Sequence, residues 1–102
     1  MILYEVLLEV EPGLAAEVEE HMRRIHIPAI LATGCFQRIR FLQAAPGRFR
    51  TSYETRSQGD LDRYLRDHAP ELRSTFSALF PAGVALSREV WVEREAWDQV
   101  LS

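Results

Sequence analysis

The sequence predicts an α+β domain of ferredoxin-like order, β-α-β-β-α-β: a four-stranded antiparallel sheet with two helices on one face. Three observations carry this. Apolar residues alternate at a spacing of two in four segments, recur at three and four residues in two others, and the six segments follow an order that splits into two β-α-β halves. The halves echo each other, because "HIPAIL" at 26–31 and "HAPELR" at 68–73 sit at comparable points of the two helices. At 102 residues with 47% hydrophobic content, the chain can bury one core, and a single domain over 1–102 is expected.

In "MILYEVLLEVEPG" Tyr4, Val6, Leu8 and Val10 share one side, and Leu3, Glu5, Leu7 and Glu9 the other. Pro12 and Gly13 end this strand. Leu14, Val18, Met22, Ile25 and Ala29 then recur at helical spacing, with Glu17, Glu20, Arg23 and Arg24 opposite. Pro28 should kink this helix, since its ring would clash with the carbonyl of Arg24, and Gly34 can end it in the left-handed conformation. A carbonyl freed by the kink needs a donor, for which His26 or Thr33 would serve.

The second strand, "CFQRIRFLQ", places Phe36, Arg38, Arg40 and Leu42 against Cys35, Gln37, Ile39 and Phe41. "APG" signals a turn, and "RFRTSYETR" alternates Phe49, Thr51, Tyr53 and Thr55 against Arg48, Arg50, Ser52 and Glu54, completing a hairpin. Leu61, Leu65, His68, Leu72, Phe76 and Leu79 mark the second helix, with Ser57 or Asp60 as its cap and Pro81-Ala82-Gly83 as its stop. In the last strand, "VALSREVWVER", Val84, Leu86, Val90 and Val92 share a side with Arg88. The tail "EAWDQVLS" has no clear period.

One sheet face is then left uncovered by the chain's own helices. Alternation assigns to it Glu5, Glu9, Arg38, Arg40, Arg48, Arg50, Glu54 and Glu89, with Leu3, Leu7, Phe36, Leu42 and Trp91 among them. Charges alone would suit solvent, but large apolar groups favour burial at roughly 1.5–3 kcal/mol each. A homodimer through this open face, forming a dimeric α+β barrel, is the economical expectation.

The formal net charge of −3 argues against a nucleic-acid partner, which rewards a basic excess. The first strand meets Glu5 too soon for a signal peptide or membrane span, and a lone cysteine cannot form an internal disulfide. A cytoplasmic protein without membrane contact is expected.

Among residues that could carry chemistry, His26 and His68 are the candidates for a catalytic base, each weighed against a structural role at its proline-loosened helix. His68 lies on the apolar stripe and should point at the sheet. Cys35 falls in the apolar layer as a buried, inert thiol. A metal would need three or four converging ligands, and in Glu17, His21 and His26 the steps of four and then five residues turn the third away. No metal and no cofactor are expected. Tyr4, Arg38, Arg40, Arg50 and Trp91 are the candidates for ligand binding, the arginines for a small anionic metabolite.

"MILYEV", "HIPAILATGCF" and "HAPELR" together resemble the small bacterial DUF4286 family, whose members open on a similar strand and carry H-I-P-x-x-L-A-T-G-x-F and H-A-P-x-L-R segments in that order. The matching positions are His26, Pro28, Leu31, Ala32, Thr33, Gly34 and Phe36, then His68, Ala69, Pro70, Leu72 and Arg73. Cys35 stands at the variable position. The resemblance spans nearly the whole chain and implies a ferredoxin-like, dimeric α+β-barrel domain, but no reaction. The favoured reading is a homodimeric binding or interaction module. The alternative, by fold analogy, is a cofactor-independent or haem-dependent small-molecule enzyme of monooxygenase or isomerase type, with its site between sheet and helices.

Overall fold

The computed structural model describes residues 1–100. Its elements are β1 (Ile2–Val10), α1 (Ala15–His21), a π-helical turn (Met22–His26), α2 (Ile27–Leu31), β2 (Arg38–Ala45), β3 (Arg48–Thr55), α3 (Gln58–Asp67), α4 (Ala69–Leu79) and β4 (Val84–Val92). The strands form one antiparallel sheet in the order β2-β3-β1-β4. This is the predicted α+β ferredoxin-like architecture. Of the tail, Leu101 and Ser102 lie outside the described residues.

The even-numbered side of β1 and the Phe49–Thr55 side of β3 face the helices. Ile2, Tyr4 and Tyr53 pack there with Ile30, Phe36, Leu61 and Tyr64, while Leu8, Val10 and Phe49 pack with Val18, Met22 and Phe76. Val6 borders both groups, so the core is continuous along β1.

Turn chemistry follows the sequence. Ser57 caps α3, its Oγ accepting from the Asp60 amide at 3.1 Å. Gly34 has φ +75° beyond the end of α2. Gly47, at φ +76° in the β2–β3 turn, leaves no room for a side chain: a Cβ there would lie 2.5 Å from the Val10 carbonyl oxygen. That closeness lets the Val10 amide donate to the Gly47 carbonyl at 2.8 Å, tying the hairpin to the end of β1.

Three expectations are corrected. The first helix does not bury Ile25 or Ala29; Ile25 is 60% exposed, and the inward positions are Val18, Met22, His26 and Ile30. Steps of four drift by about 40° each on an α-helix, and the wider π turn absorbs the drift. The second helix is two helices, because His68, at φ −123°, leaves the helical conformation between α3 and α4. Phe36 is not on the open face. β2 begins only at Arg38, so Phe36 is free of strand alternation and is buried, its ring 5.3 Å from Tyr53 and 4.9 Å from Tyr64. Cys35 beside it is fully buried and unpaired.

Three of the four open-face arginines sit in cross-strand pairs, and Arg38 has no ion pair among the described residues. Arg40 meets Glu54 at 2.7 Å, Arg48 meets Glu9 at 3.7 Å, and Arg50 reaches Glu5 at 4.0 Å. Leu42 and Trp91 stand among them 40% and 50% exposed, with Leu3 and Leu7 half-buried. β4 is an edge strand whose helix-side residues Leu86, Val90 and Val92 also remain exposed.

Candidate functional site

The helix-covered side of the sheet holds a cleft with a cavity of about 50 Å³. Tyr4, Val6 and Leu8 of β1 and Tyr53 of β3 form its floor. Met22, His26 and Ile30 line one wall, and Tyr64 of α3 with Arg73, Phe76 and Ser77 of α4 line the other. Leu86 and Arg88 approach from β4.

His26 reaches the cleft because of Pro28. A proline in a helix interior has no amide to give the carbonyl four residues back, and its ring crowds that carbonyl. The chain widens to a π turn ahead of it, in which the Ile27 amide donates to the Met22 carbonyl, five residues back. His26 therefore falls beneath Met22 and faces the sheet. Thr33 plays a different part from that expected: its hydroxyl donates to the Ile30 carbonyl at 2.7 Å, closing the end of α2.

The same turn brings together two histidines five residues apart. The His21 and His26 rings lie 5.9 Å apart, and His26 meets Phe76 edge-on at 5.5 Å. The expectation that a step of five would separate them held only for an α-helix. His21 is buried between Phe76 and Phe80, and its Nε2 has no hydrogen-bond partner. Burial lowers its pKa. His26 is lowered further, to about 4, first by burial and then by His21 and Arg88. It is a neutral imidazole at neutral pH.

Opposite stands the Arg73 guanidinium, which donates to the Tyr4 hydroxyl at 2.9 Å. Arg88 occupies the β4 position paired with Val6 and so projects to the same side. Neither arginine forms an ion pair among the described residues. Burial, then Tyr64, raises the Tyr53 phenol, and burial, then Tyr4, raises that of Tyr64, so both stay protonated. The cleft thus combines two cations, a neutral imidazole and phenolic groups with the apolar side chains of Val6, Leu8 and Ile30.

Of the residues singled out from sequence, Tyr4 and His26 meet in this cleft. His68 does not reach it: half-buried at the α3–α4 break, its ring stacks on Tyr64 at 6.4 Å. Arg38, Arg40, Arg50 and Trp91 lie on the opposite face of the sheet. Arg73 was named from sequence only as a position matching the family segment, and Arg88 only as sharing a side with Val84, Leu86, Val90 and Val92; neither was a site candidate. Among the described residues, no three His, Cys, Asp or Glu side chains gather where they could hold a metal ion. No helix among them is long and apolar enough to cross a membrane.

A ferredoxin-like sheet with a polar cleft beneath its helices defines the class of this protein. The chain belongs to the DUF4286 family, a domain of unknown function, whose model matches residues 1–93. No curated protein matches it. Among solved structures it is similar to a candidate antibiotic biosynthesis monooxygenase from Deinococcus radiodurans, at 19% identity and a TM-score of 0.72 over 98% of this chain and 99% of that one. A second such candidate, from Nitrosomonas europaea, gives 17% identity and a TM-score of 0.70 over 93% and 100%. A protein from Mycobacterium tuberculosis gives 15% and 0.66 over 96% and 100%. At these identities the likeness is one of fold.

Proposed function

We propose that this protein is a homodimeric small-molecule-binding module whose ligand occupies the helix–sheet cleft, not the arginines of the open face. One contrast carries the reading. Arg40, Arg48 and Arg50 each lie against a glutamate, and the hollow that Arg48 and Arg50 line includes Glu5 and Glu89, whereas Arg73 and Arg88 have no carboxylate partner among the described residues and line a cleft without aspartate or glutamate. A neutralised arginine offers an anion little, and an unpaired one offers charge and a forked donor set.

The dimer half of the proposal rests on the open face, where Leu3, Leu7, Leu42 and Trp91 interrupt the ion pairs. Two such faces packed about 10 Å apart would bury them and close a barrel. Light scattering at micromolar concentration should give a dimer, and Trp91→Ser should weaken association by about 30-fold or more, as expected of a central aromatic anchor. A monomeric wild-type protein would overturn this half. For the site, NMR shifts produced by a small-fragment library should map to His26, Arg73 and Arg88. A map centred on Arg38, Arg40 and Arg50 would move the site to the other face.

A second reading is favoured by the neutral imidazole. His26 could accept a proton from an acidic phenol or enol held against the arginines, which is chemistry suited to an oxygenase of the kind named for two of the structural neighbours. Turnover of such a compound that is lost in His26→Gln would raise this reading above simple binding.

A further inference from the structure

The charge of the cleft runs against that of the chain. The molecule carries a formal net charge of −3, yet the residues around the cavity include two arginines and no aspartate or glutamate. Both arginines are exposed to solvent, so each stands unpaired at little cost and stays open to a partner. Among the described residues Arg73 donates to the neutral Tyr4 hydroxyl and neither arginine forms an ion pair. Two such cations lining one cavity that has no carboxylate suit an anion.

Size and polarity narrow its class. About 50 Å³ is a third of the roughly 150 Å³ that encloses a benzene ring, so only a few heavy atoms fit inside. Val6, Ile30, Phe76 and Leu86 give the cavity apolar walls, against which an aliphatic tail is better placed than the further oxygens of a phosphate or sulfate. A carboxylate carrying a short aliphatic tail satisfies both the arginines and the walls, because its two oxygens match a guanidinium fork and its tail needs no partner.

We propose that the cleft binds a short-chain monocarboxylate between Arg73 and Arg88, and that His26 takes up a proton as it binds. This rests on the cleft being the ligand site. The groups around His26 are His21 from α1, Arg73 from α4, Arg88 from β4, and the phenols of Tyr4, Tyr53 and Tyr64. In the empty cleft every charged one of these is a cation, which holds the imidazole neutral. A bound carboxylate reverses the local sign and raises the imidazole pKa. By linkage, affinity rises as pH falls from about 7.5 to 5.5, while the ligand, with a pKa near the roughly 4.3 of a glutamate side chain, stays ionised.

The test is a butyrate titration of protein labelled with nitrogen-15 at histidine, at pH 7.5 and 5.5, with butyramide as the uncharged control. Expected are conversion of the His26 imidazole to its cation on saturation at pH 5.5, several-fold tighter binding there, and butyramide binding at least tenfold weaker. Arg73→Gln and Arg88→Gln should each weaken butyrate by about tenfold or more. His26→Gln should bind it with an affinity independent of pH, and the wild-type imidazole signal decides the matter if that variant does not fold. Butyrate binding with neither a His26 shift nor a pH effect would overturn the proton uptake and leave the cleft as a ligand site. Equal binding of butyramide, or no binding of butyrate, would overturn the carboxylate class, while the fragment map still judges the cleft independently.

Discussion

The two faces of the sheet both set arginines among large apolar side chains, and they manage the charge differently. On the open face three of four arginines are matched across strands, Arg40 to Glu54, Arg48 to Glu9 and Arg50 to Glu5, while Arg38 has no ion pair among the described residues. On the helix side Arg73 and Arg88 have no carboxylate partner among the described residues, and both are exposed to solvent, where an unpaired charge costs little. The surroundings differ: the cleft these two line includes no aspartate or glutamate, whereas the hollow lined by Arg48 and Arg50 includes Glu5 and Glu89.

Truncation of apolar groups gives the largest difference between the faces. Phe36, 4% exposed and wedged between Tyr53 and Tyr64, should cost about 3–5 kcal/mol when changed to alanine. Leu42→Ala, on the open face at 40% exposure, should cost less than about 1 kcal/mol in dilute protein and more as concentration rises and a partner covers it. Urea denaturation at two protein concentrations measures both. A concentration-independent Leu42 effect would overturn the proposal that the open face is a dimer interface.

Acid separates the faces next. The folded pKa of His26 is about 4, below the unfolded value near 6.5, so the unfolded chain binds more protons across that interval. Stability should fall as pH drops from about 6.5 to 4, by about 2–3 kcal/mol for this half-buried group. His21, lowered by burial, adds loss in the same direction. His26→Gln should flatten most of this slope in pH-dependent denaturation. An unchanged slope would mean that His26 is solvated and that the cleft does not exclude water.

Much of this was legible in the sequence for a simple reason. In β1 and β3 the helix-facing residues recur at a spacing of two, and Ser57, Gly34 and the Pro46-Gly47 turn mark element boundaries with residues whose conformations leave little choice. The matched His-x-Pro segments were also visible as two breaks in helical regularity. Their outcomes were not. Pro28 is absorbed by a π turn that carries His26 inward, whereas Pro70 follows a full break at which His68 turns aside. Which relief a proline forces depends on what packs around it, here Met22 and Phe76 on one side and Tyr64 on the other. Phe36 was misplaced because strand alternation was extended two residues before the strand begins. Arg73 and Arg88 come from α4 and β4, and only the folded topology brings them to one cavity.

The smallest expected effect concerns Arg40 and bears on the proposal that the ligand does not occupy the open face. Arg40 and Glu54 make a short contact at 2.7 Å, but the Arg40 side chain is 48% exposed and that of Glu54 14% exposed. A pair so open to water should show a coupling of about 0.2–1 kcal/mol in a double-mutant cycle with Arg40→Gln and Glu54→Gln, reduced further in high salt. A coupling above about 3 kcal/mol would show that a partner sheet desolvates the pair. Either result leaves Arg40 occupied. An anion arriving at this face must displace Glu54 and bear the repulsion of the freed carboxylate, a penalty that Arg73, bonded only to a neutral phenol, does not impose.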